Sequence, residues 1–325
     1  MKNGPLALLV LSSTLCACTS TARARRTFEE HEAAFVAASA PTDLSVARGD
    51  HRLAVREYGA RWRDVHPTVV LMQGFPDSMH LYDLVVPELA EERHVVTFDF
   101  LGWGASDRPR DHVYDFRSLD ADLDAVIKGL ALTDYVLVVH DISCPAGVDR
   151  TLVDPAVRRL VVLNSVNHRT ELLVRPESIE TFSGGGVWRW FLVTASRLSN
   201  TAWQNGVRRQ LARFMVRDDE TEKRFKDVFA HQALGIRRAF FELNSNLREE
   251  FERRAEALAP LARLGPRVAL VFGDADPYLN LDIARELLEL MPGATLEVVE
   301  GAGHYVQIDA PDRVAGAILR ASTRR

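Results

Sequence analysis

The stretch from Val138 to Gly147, VVHDISCPAG, holds two possible nucleophiles two residues apart, Asp141 and Ser143. An aspartate carboxylate can attack an electrophilic carbon and form an ester with its substrate, whereas a serine hydroxyl attacks an ester carbonyl. Either group needs a histidine as a general base and an acid that orients this histidine. Far downstream, Asp276 follows the apolar run VALVFG and His304 follows Gly-Ala-Gly, so both partners are available.

The neighbours of the two candidates favour Asp141. A nucleophile on a sharp turn between a strand and a helix needs small residues two positions before and after it. Val139 and Ser143 flank Asp141 in this way, and Pro145 stands two positions after Ser143. Pro145 would restrain a turn centred on Ser143, but it suits the first turn of a helix that begins after Asp141. Asp141 as a mere helix cap would leave the later histidine and aspartate unexplained.

The elements that would position these residues follow a regular alternation. From residue 43 onwards, short β-branched apolar runs alternate with helical patterns, and Gly49-Asp50 marks a hairpin at the start. Continuous apolar runs are typical of strands that are buried on both faces of a parallel sheet. We therefore predict a doubly wound α/β fold that binds its ligand beyond the carboxyl ends of the strands. The predicted strands after the hairpin are 68–74, 94–100, 134–140, 158–165, 267–273 and 295–301.

One long interval interrupts this alternation. Residues 166–264 contain several helical patterns and no convincing strand, and the interval is too long for a loop. We predict that it forms a helical cap over the carboxyl edge of the sheet. Residues 43–165 and 265–325 would then form the α/β core.

Unusual sequences at the strand ends resemble the motifs of a known family. These are QGFPDS (73–78), DFLGWGASDRP (99–109), VVHDISCPAG (138–147), GDADP (273–277) and GAGHYVQ (301–307). In this order they resemble the α/β-hydrolase fold, and most of all its branch with an aspartate nucleophile, the epoxide hydrolases and haloalkane dehalogenases. The resemblance covers nearly the whole chain after residue 43, and it implies a mostly parallel sheet of eight strands. It also implies Asp141 as nucleophile, Asp276 as the orienting acid, with Asp274 as a second candidate, and His304 as base.

The resemblance further implies backbone donors for the negative charge that develops during ester hydrolysis. By position, the N–H groups of Phe75 and Ile142 would form this oxyanion hole. Trp103, in the loop 99–109, is a candidate for the wall of the substrate pocket.

The residues that would bind the leaving group depart from every familiar subfamily. Epoxide hydrolases typically use two cap tyrosines, and this chain has no Tyr between Val166 and Pro277. Haloalkane dehalogenases typically use a Trp and an Asn where Ile142 and Phe75 stand, and the arginines of fluoroacetate-type enzymes are missing after Asp141. The remaining candidates for donors or pocket walls, which are more typical of helix packing, are Trp188, Trp190, Trp203, His168 and His231.

The N-terminus has the pattern of an export signal. A single basic residue, Lys2, precedes an apolar run from Pro5 to Leu15 that is too short for a permanent membrane helix. The following Leu-Cys-Ala-Cys resembles a bacterial lipobox, which implies that Cys18 carries a lipid. We therefore expect a signal peptide at 1–18, a polar tether at 19–42, and an exported lipoprotein that reaches the membrane through its lipid alone.

Composition limits the possible partners. A net charge of −5 gives no support for nucleic-acid binding, which needs a clustered basic face. We expect no metal and no cofactor, and we expect a small or medium-sized apolar substrate together with water. The main hypothesis is hydrolysis through an ester on Asp141, with epoxide opening ahead of dehalogenation. The alternatives are a serine esterase that uses Ser143 and a lipid-anchored binding protein without turnover.

Overall fold

The computed structural model describes residues 6–176, 179–180 and 186–323. The strands within these ranges are Thr42–Arg48 (β1), His51–Tyr58 (β2), Thr68–Met72 (β3), Val95–Phe98 (β4), Tyr135–Asp141 (β5), Val157–Ser165 (β6), Val268–Gly273 (β7) and Thr295–Val299 (β8). They form one sheet in the order β1-β2-β4-β3-β5-β6-β7-β8. β2 pairs antiparallel with β1 and β4, and all other neighbours are parallel. The predicted α/β class with a mostly parallel eight-stranded sheet is confirmed.

Helices cover both faces of the sheet. In the described ranges they are Leu6–Ser39 (α1), Val86–Glu92 (α2), Phe116–Gly129 (α3), Cys144–Val153 (α4), Gly186–Leu198 (α5), Asn200–Phe214 (α6), Glu220–Gln232 (α7), Arg237–Ala255 (α8), Leu281–Leu290 (α9), Val306–Asp309 (α10) and Pro311–Thr323 (α11). α3, α4 and α9 share one apolar core with the sheet, and α2 and α11 share the other. Several helices begin at side-chain caps, which fix where each helix starts. These caps are Asp115, Ser199, Asp219 and Asn280.

The interval between β6 and β7 is helical throughout its described part. α5, α6, α7 and α8 all lie there, and no described residue between 166 and 264 belongs to a strand. Two contacts join this helical segment to the strand ends. The ring of Phe240 stacks on that of Phe75 at 4.8 Å, and the carbonyl of Phe214 accepts the N–H of His304 at 2.9 Å. The segment therefore reaches the carboxyl edge of the sheet.

Residues 20–39, expected to be a polar tether, instead belong to the helix α1 and are packed against the protein. Ala24, His31 and Phe35 are buried, and Phe28 stacks on His231 of α7 with 4.8 Å between the ring centroids. His31 Nε2 also lies 2.8 Å from Oδ2 of Asp83. The difference arises because these four residues recur at helical spacing and form one buried stripe, while the arginines occupy the other faces.

The structure also bears on whether a helix could cross a membrane. Within the described ranges, no helix is both long enough and apolar enough to cross a bilayer. The side chains of residues 6–19, including the predicted lipid site Cys18, lie outside the described part of the structure.

The turn between β5 and α4 is sharp. Asp141 ends β5 with φ +49°, in the left-handed region that side chains rarely adopt. Val139, where a small residue is usual, is accommodated because Gly147 of α4 faces it. A methyl group on Gly147 would overlap Cγ1 of Val139 and lie 3.1 Å from Cδ1 of Leu160. α4 can therefore approach β5 only because residue 147 has no side chain.

We predict that Gly147→Ala destabilises the protein by about 1–3 kcal/mol, because the added methyl group overpacks the contact between α4 and β5. Gly206→Ala is the matched control, since a methyl group there meets no atom within 4 Å. At that helical position, alanine is expected to stabilise by about 0.5–1 kcal/mol. Urea unfolding of both variants measures the difference.

A double variant tests the cause of the Gly147→Ala effect. Val139→Ala removes the methyl group that a side chain at 147 would meet, so Gly147→Ala should cost less in that background. An equal cost in both backgrounds would contradict the proposed steric relation between the two residues.

Candidate active site

Asp141 lies at the end of β5, with its carboxylate facing two backbone donors. The N–H of Phe75, after β3, donates to Oδ2 at 3.0 Å, and the N–H of Ile142 lies close enough to lower the pKa of this carboxyl group. Burial raises the pKa of Asp141 above its usual value, although the charge of His304 and the two N–H groups oppose this rise. The predicted oxyanion donors thus converge on the predicted nucleophile.

His304 and Asp276 form a hydrogen-bonded pair beside Asp141. Nδ1 of His304 lies 2.9 Å from Oδ2 of Asp276, and both side chains are buried. Asp276 is held in turn by the amide of Asn164, which donates to Oδ2 at 3.0 Å. Oδ1 of Asp276 accepts the N–H groups of Tyr278 at 2.9 Å and of Leu279 at 3.1 Å. The acid is therefore fixed on both oxygens.

The electrostatics of this pair follow from its burial and its neighbours. Burial lowers the pKa of His304, but the charge and hydrogen bond of Asp276 and the charge of Asp141 outweigh it and raise the pKa to about 9. Burial raises the pKa of Asp276, yet the charge and hydrogen bond of His304 bring it below its ordinary value. The arrangement is an imidazolium between two carboxylates, of which only Asp276 is hydrogen-bonded to Nδ1.

The two alternative residues lie elsewhere. The hydroxyl of Ser143 donates to the carbonyl of His140 at 2.9 Å and accepts its N–H at 3.0 Å, and the whole side chain is buried inside the turn. Asp274 is exposed, and its Oδ1 accepts the N–H of Gly301 at 2.7 Å. Neither residue lines the cavity above Asp141.

A cavity of about 430 Å³ opens between Asp141 and the helices that follow β6. Its walls are mainly apolar, which suits an apolar ligand of small or medium size. The helical segment and the α/β core both contribute to these walls. Phe214, Trp203 and Phe240 lie on the helices, and Leu279 lies after β7. Asp141 and His304 both line it, so their side chains are accessible from this space.

Several predicted pocket residues lie away from this cavity. Trp103 is buried and packs edge-to-face on Tyr114, and Trp190 is 67% exposed, so neither is part of the wall. Trp203 lines the cavity, but its indole N–H donates to the carbonyl of Ala233 at 2.8 Å. The side chain of Trp188 lies outside the described residues.

The two histidines predicted as donors also lie away from the cavity. His168 is buried with Nε2 at 3.7 Å from Glu286, and His231 stacks on Phe28 of α1. Neither is among the described residues that line the cavity.

Asp77 is a residue whose role the sequence did not indicate, although it stands within QGFPDS. It is buried, and its Oδ1 accepts the hydroxyl of Tyr305 at 3.0 Å. In the described part of the chain, no group bonds its Oδ2. Burial and the negative charge of Asp141 raise the pKa of Asp77 to about 7. Asp77 thus places a second buried carboxyl group close to the first.

The chain is similar to known hydrolases over most of its length. A model of the alpha/beta hydrolase family matches residues 69–317. Epoxide hydrolase A of Mycobacterium tuberculosis is 26% identical over 314 residues, which cover 86% of this chain and 97% of that protein. Fluoroacetate dehalogenase of Burkholderia sp is 31% identical over 132 residues, covering 39% of this chain and 42% of that protein.

A solved structure agrees at the level of the fold. Bromoperoxidase from Bacillus anthracis superimposes with a TM-score of 0.70 at 18% identity, covering 86% of this chain and 99% of that chain.

Because the pKa of Asp77 is raised, the stability of the folded protein should depend on pH. The folded protein holds this proton up to about pH 7, whereas an unfolded Asp releases it near pH 4, so the wild type loses stability as pH rises between these values. Asp77→Asn does not titrate and keeps an acceptor for Tyr305. We therefore expect it to gain stability relative to the wild type from pH 4 to pH 8, by up to about 4 kcal/mol.

Urea unfolding of the wild type and of Asp77→Asn at pH 4, 6 and 8 measures this gain. A stability difference that stays the same at all three values would contradict the buried, proton-holding state of Asp77.

Proposed function

Because the chain belongs to the alpha/beta hydrolase family, we propose that it hydrolyses an apolar substrate of small or medium size through a covalent ester on Asp141. An epoxide is the first candidate and an alkyl halide the second. One observation carries this proposal: the carboxylate of Asp141 faces an apolar cavity that His304 also lines. A buried carboxylate against an apolar wall can meet an electrophilic carbon without competition from bulk water.

In the first step, one oxygen of Asp141 attacks the electrophilic carbon, and the bond from that carbon to the leaving atom breaks. The leaving atom takes the electron pair, and the substrate is left as an alkyl ester of Asp141. The attack requires the ionised form of Asp141, which the nearby positive charge of His304 favours.

In the second step, water attacks the carbonyl carbon of this ester, and Nε2 of His304 takes the proton of the water. Esterification removes the negative charge of Asp141, which is one of the charges that raise the pKa of His304. The pKa of His304 therefore falls once the ester has formed, so the imidazolium releases its proton more readily and the neutral imidazole can accept a proton from water. Asp276 holds Nδ1 and stabilises the imidazolium that results. The tetrahedral intermediate then collapses, and the bond from the carbonyl carbon to the substrate oxygen breaks. The product leaves as an alcohol with the proton of His304, and Asp141 returns as a carboxylate.

The oxyanion of the second step needs donors at the carboxyl group of Asp141 itself. The N–H of Phe75 already donates to this group in the free protein, and the N–H of Ile142 lies close enough to lower its pKa. They can hold the negative oxygen of the tetrahedral intermediate without rearrangement, which is the usual source of oxyanion stabilisation.

Two further observations support an aspartate nucleophile over Ser143. The serine hydroxyl is spent on the backbone of His140 and does not line the cavity. The similar proteins include one named for epoxide hydrolysis and one named for fluoroacetate dehalogenation. The proposed enzyme and a binding protein without activity differ in one respect: only the enzyme turns over its substrate with His304 as base.

We also propose that the protein is exported and carries its lipid on Cys18. The side-chain contacts described along α1 begin at Ser20 and Thr21, which bond Arg208 and Gln204. Processing before Cys18 would therefore leave the packed part of α1 intact.

We predict that the variant His304→Gln traps the ester. Loss of the imidazole removes the base of the second step and slows hydrolysis of the ester by about 10²–10⁴-fold. The variant is incubated with a panel of epoxides, haloalkanes and p-nitrophenyl esters, and the adduct is mapped by peptide mass spectrometry. We expect the added mass on Asp141, with an intact epoxide giving the full mass of the substrate.

The same substitution at His51, in the hairpin between β1 and β2, is the control and should leave turnover unchanged. An adduct on Ser143 would overturn the proposal in favour of a serine esterase. No adduct in the variant and no turnover of any panel member by the wild type would favour a binding protein.

The lipid proposal has its own test in the chain. Cys18→Ser should abolish labelling of the protein by radioactive palmitate in a bacterial host, and Cys16→Ser, two residues earlier, should not. Labelling that survives in Cys18→Ser would reject this site.

A further inference from the structure

The proposed reaction leaves one chemical need unmet, and the following inference rests on that proposed function. When Asp141 opens an epoxide, the departing oxygen becomes an alkoxide and needs a proton from an acid. The chain has no tyrosine between Val166 and Pro277 that could act from the cap. The donor must therefore come from another part of the cavity wall.

Most polar groups of the wall are already engaged. The hydroxyl of Tyr305 donates to Asp77 at 3.0 Å, and that of Ser196 donates to the carbonyl of Val193 at 2.7 Å. The guanidinium of Arg175 pairs with Glu180 at 2.9 Å. The indole N–H of Trp203 is directed at a carbonyl as well, so neither it nor the two hydroxyl groups can serve the substrate without losing a bond that they make in the free protein. The guanidinium of Arg175 keeps further N–H groups, but an arginine stays protonated in proteins and cannot act as an acid.

Tyr278 differs from all of these. It lines the cavity and is partly exposed, and its hydroxyl has no hydrogen-bond partner among the residues that the structure describes. Its ring packs against that of Phe214 at 4.8 Å, and the ring of Phe214 lies 4.9 Å from that of His304. Its backbone N–H is held by Oδ1 of Asp276. The phenol is therefore fixed within two ring contacts of the proposed base.

A second free donor lies on the helix α6. Gln210 of α6 lines the cavity, and its Nε2 is buried without a hydrogen-bond partner in the described ranges. It precedes Phe214 by four residues, so both side chains occupy the same face of the helix. A buried amide with an unmet donor costs free energy unless a ligand satisfies it.

We propose that Tyr278 protonates the departing oxygen of an epoxide and that the amide of Gln210 is its second hydrogen-bond donor. As Asp141 forms its bond to carbon, the carbon–oxygen bond breaks and its electron pair goes to oxygen. The oxygen then takes the phenolic proton of Tyr278, which leaves a hydroxyalkyl ester on Asp141 and a phenolate on Tyr278. Because Tyr278 is partly exposed, water restores its proton before the next turnover.

This assignment names the leaving atom. A phenol, with a pKa near 10, is a far stronger acid than an alcohol, so proton transfer to an alkoxide is downhill. A halide departs as a stable anion and takes no proton, so it has no use for the acidity of Tyr278. The acidity of Tyr278 therefore serves an epoxide, whereas an alkyl halide would use no more than its hydrogen bond.

The test measures ester formation on Asp141 in single-turnover experiments with wild type, Tyr278→Phe and Gln210→Leu, against one epoxide and one alkyl halide of similar size. Tyr278→Phe should slow epoxide opening by about 10²–10⁴-fold, the usual contribution of a general acid, and change halide displacement less than threefold. Gln210→Leu should slow epoxide opening by about tenfold, which corresponds to one hydrogen bond.

Tyr114→Phe is the matched control, because its hydroxyl donates to the carbonyl of Pro109 at 3.0 Å and does not line the cavity. It should leave both rates unchanged. Unaltered epoxide opening in Tyr278→Phe would overturn this inference alone, as would an equal loss on the epoxide and the halide, which would indicate packing. A wild type that forms no ester on Asp141 with either substrate would overturn the proposed function itself.

Discussion

The close approach of two strand ends is the constraint on which the site depends. Asp141 turns into the left-handed region at the end of β5, and the chain after β3 must come near enough for the N–H of Phe75 to reach its carboxylate. Gly74 allows this contact, because a methyl group there would overlap Nδ1 of His140 and lie 3.1 Å from Cβ of Asp141. The strain at Asp141 is tolerated because the neighbouring strands and α4 hold the turn from all sides.

Asp276 links the chemistry to the shape of the cavity. One of its oxygens orients His304, and the other holds the N–H groups of Tyr278 and Leu279, which belong to the wall. Phe214 closes the same unit from the helical side, since its carbonyl accepts the N–H of His304 and its ring contacts both His304 and Tyr278. A shift of the helices that follow β6 would therefore alter both the base and the wall.

The sheet could be predicted because its strands are buried on both faces and leave continuous apolar runs; β5 was expected at 134–140 and occupies Tyr135–Asp141. The packing of α1 was not predicted, because three arginines make this segment look polar. Its buried residues, starting at Ala24, can be recognised only by their helical spacing. Gln210 and Tyr278 could not be found from sequence, because the wall that they share joins segments far apart in the chain. Trp103 is the opposite case: it was predicted to line the cavity, but its side chain packs in the apolar core instead.

The docking of α1 has a consequence for the order of events during synthesis. His231, on which Phe28 stacks, follows it by roughly 200 residues, so a ribosome that adds about 5–20 residues per second needs about 10–40 s to deliver this partner. Until then the stripe has only its earlier partners, such as Tyr58, His80 and Asp83, and lacks the cover of α7. α1 can therefore complete its packing only after α7 has been made, and a factor that binds nascent apolar helices has many seconds in which to meet it.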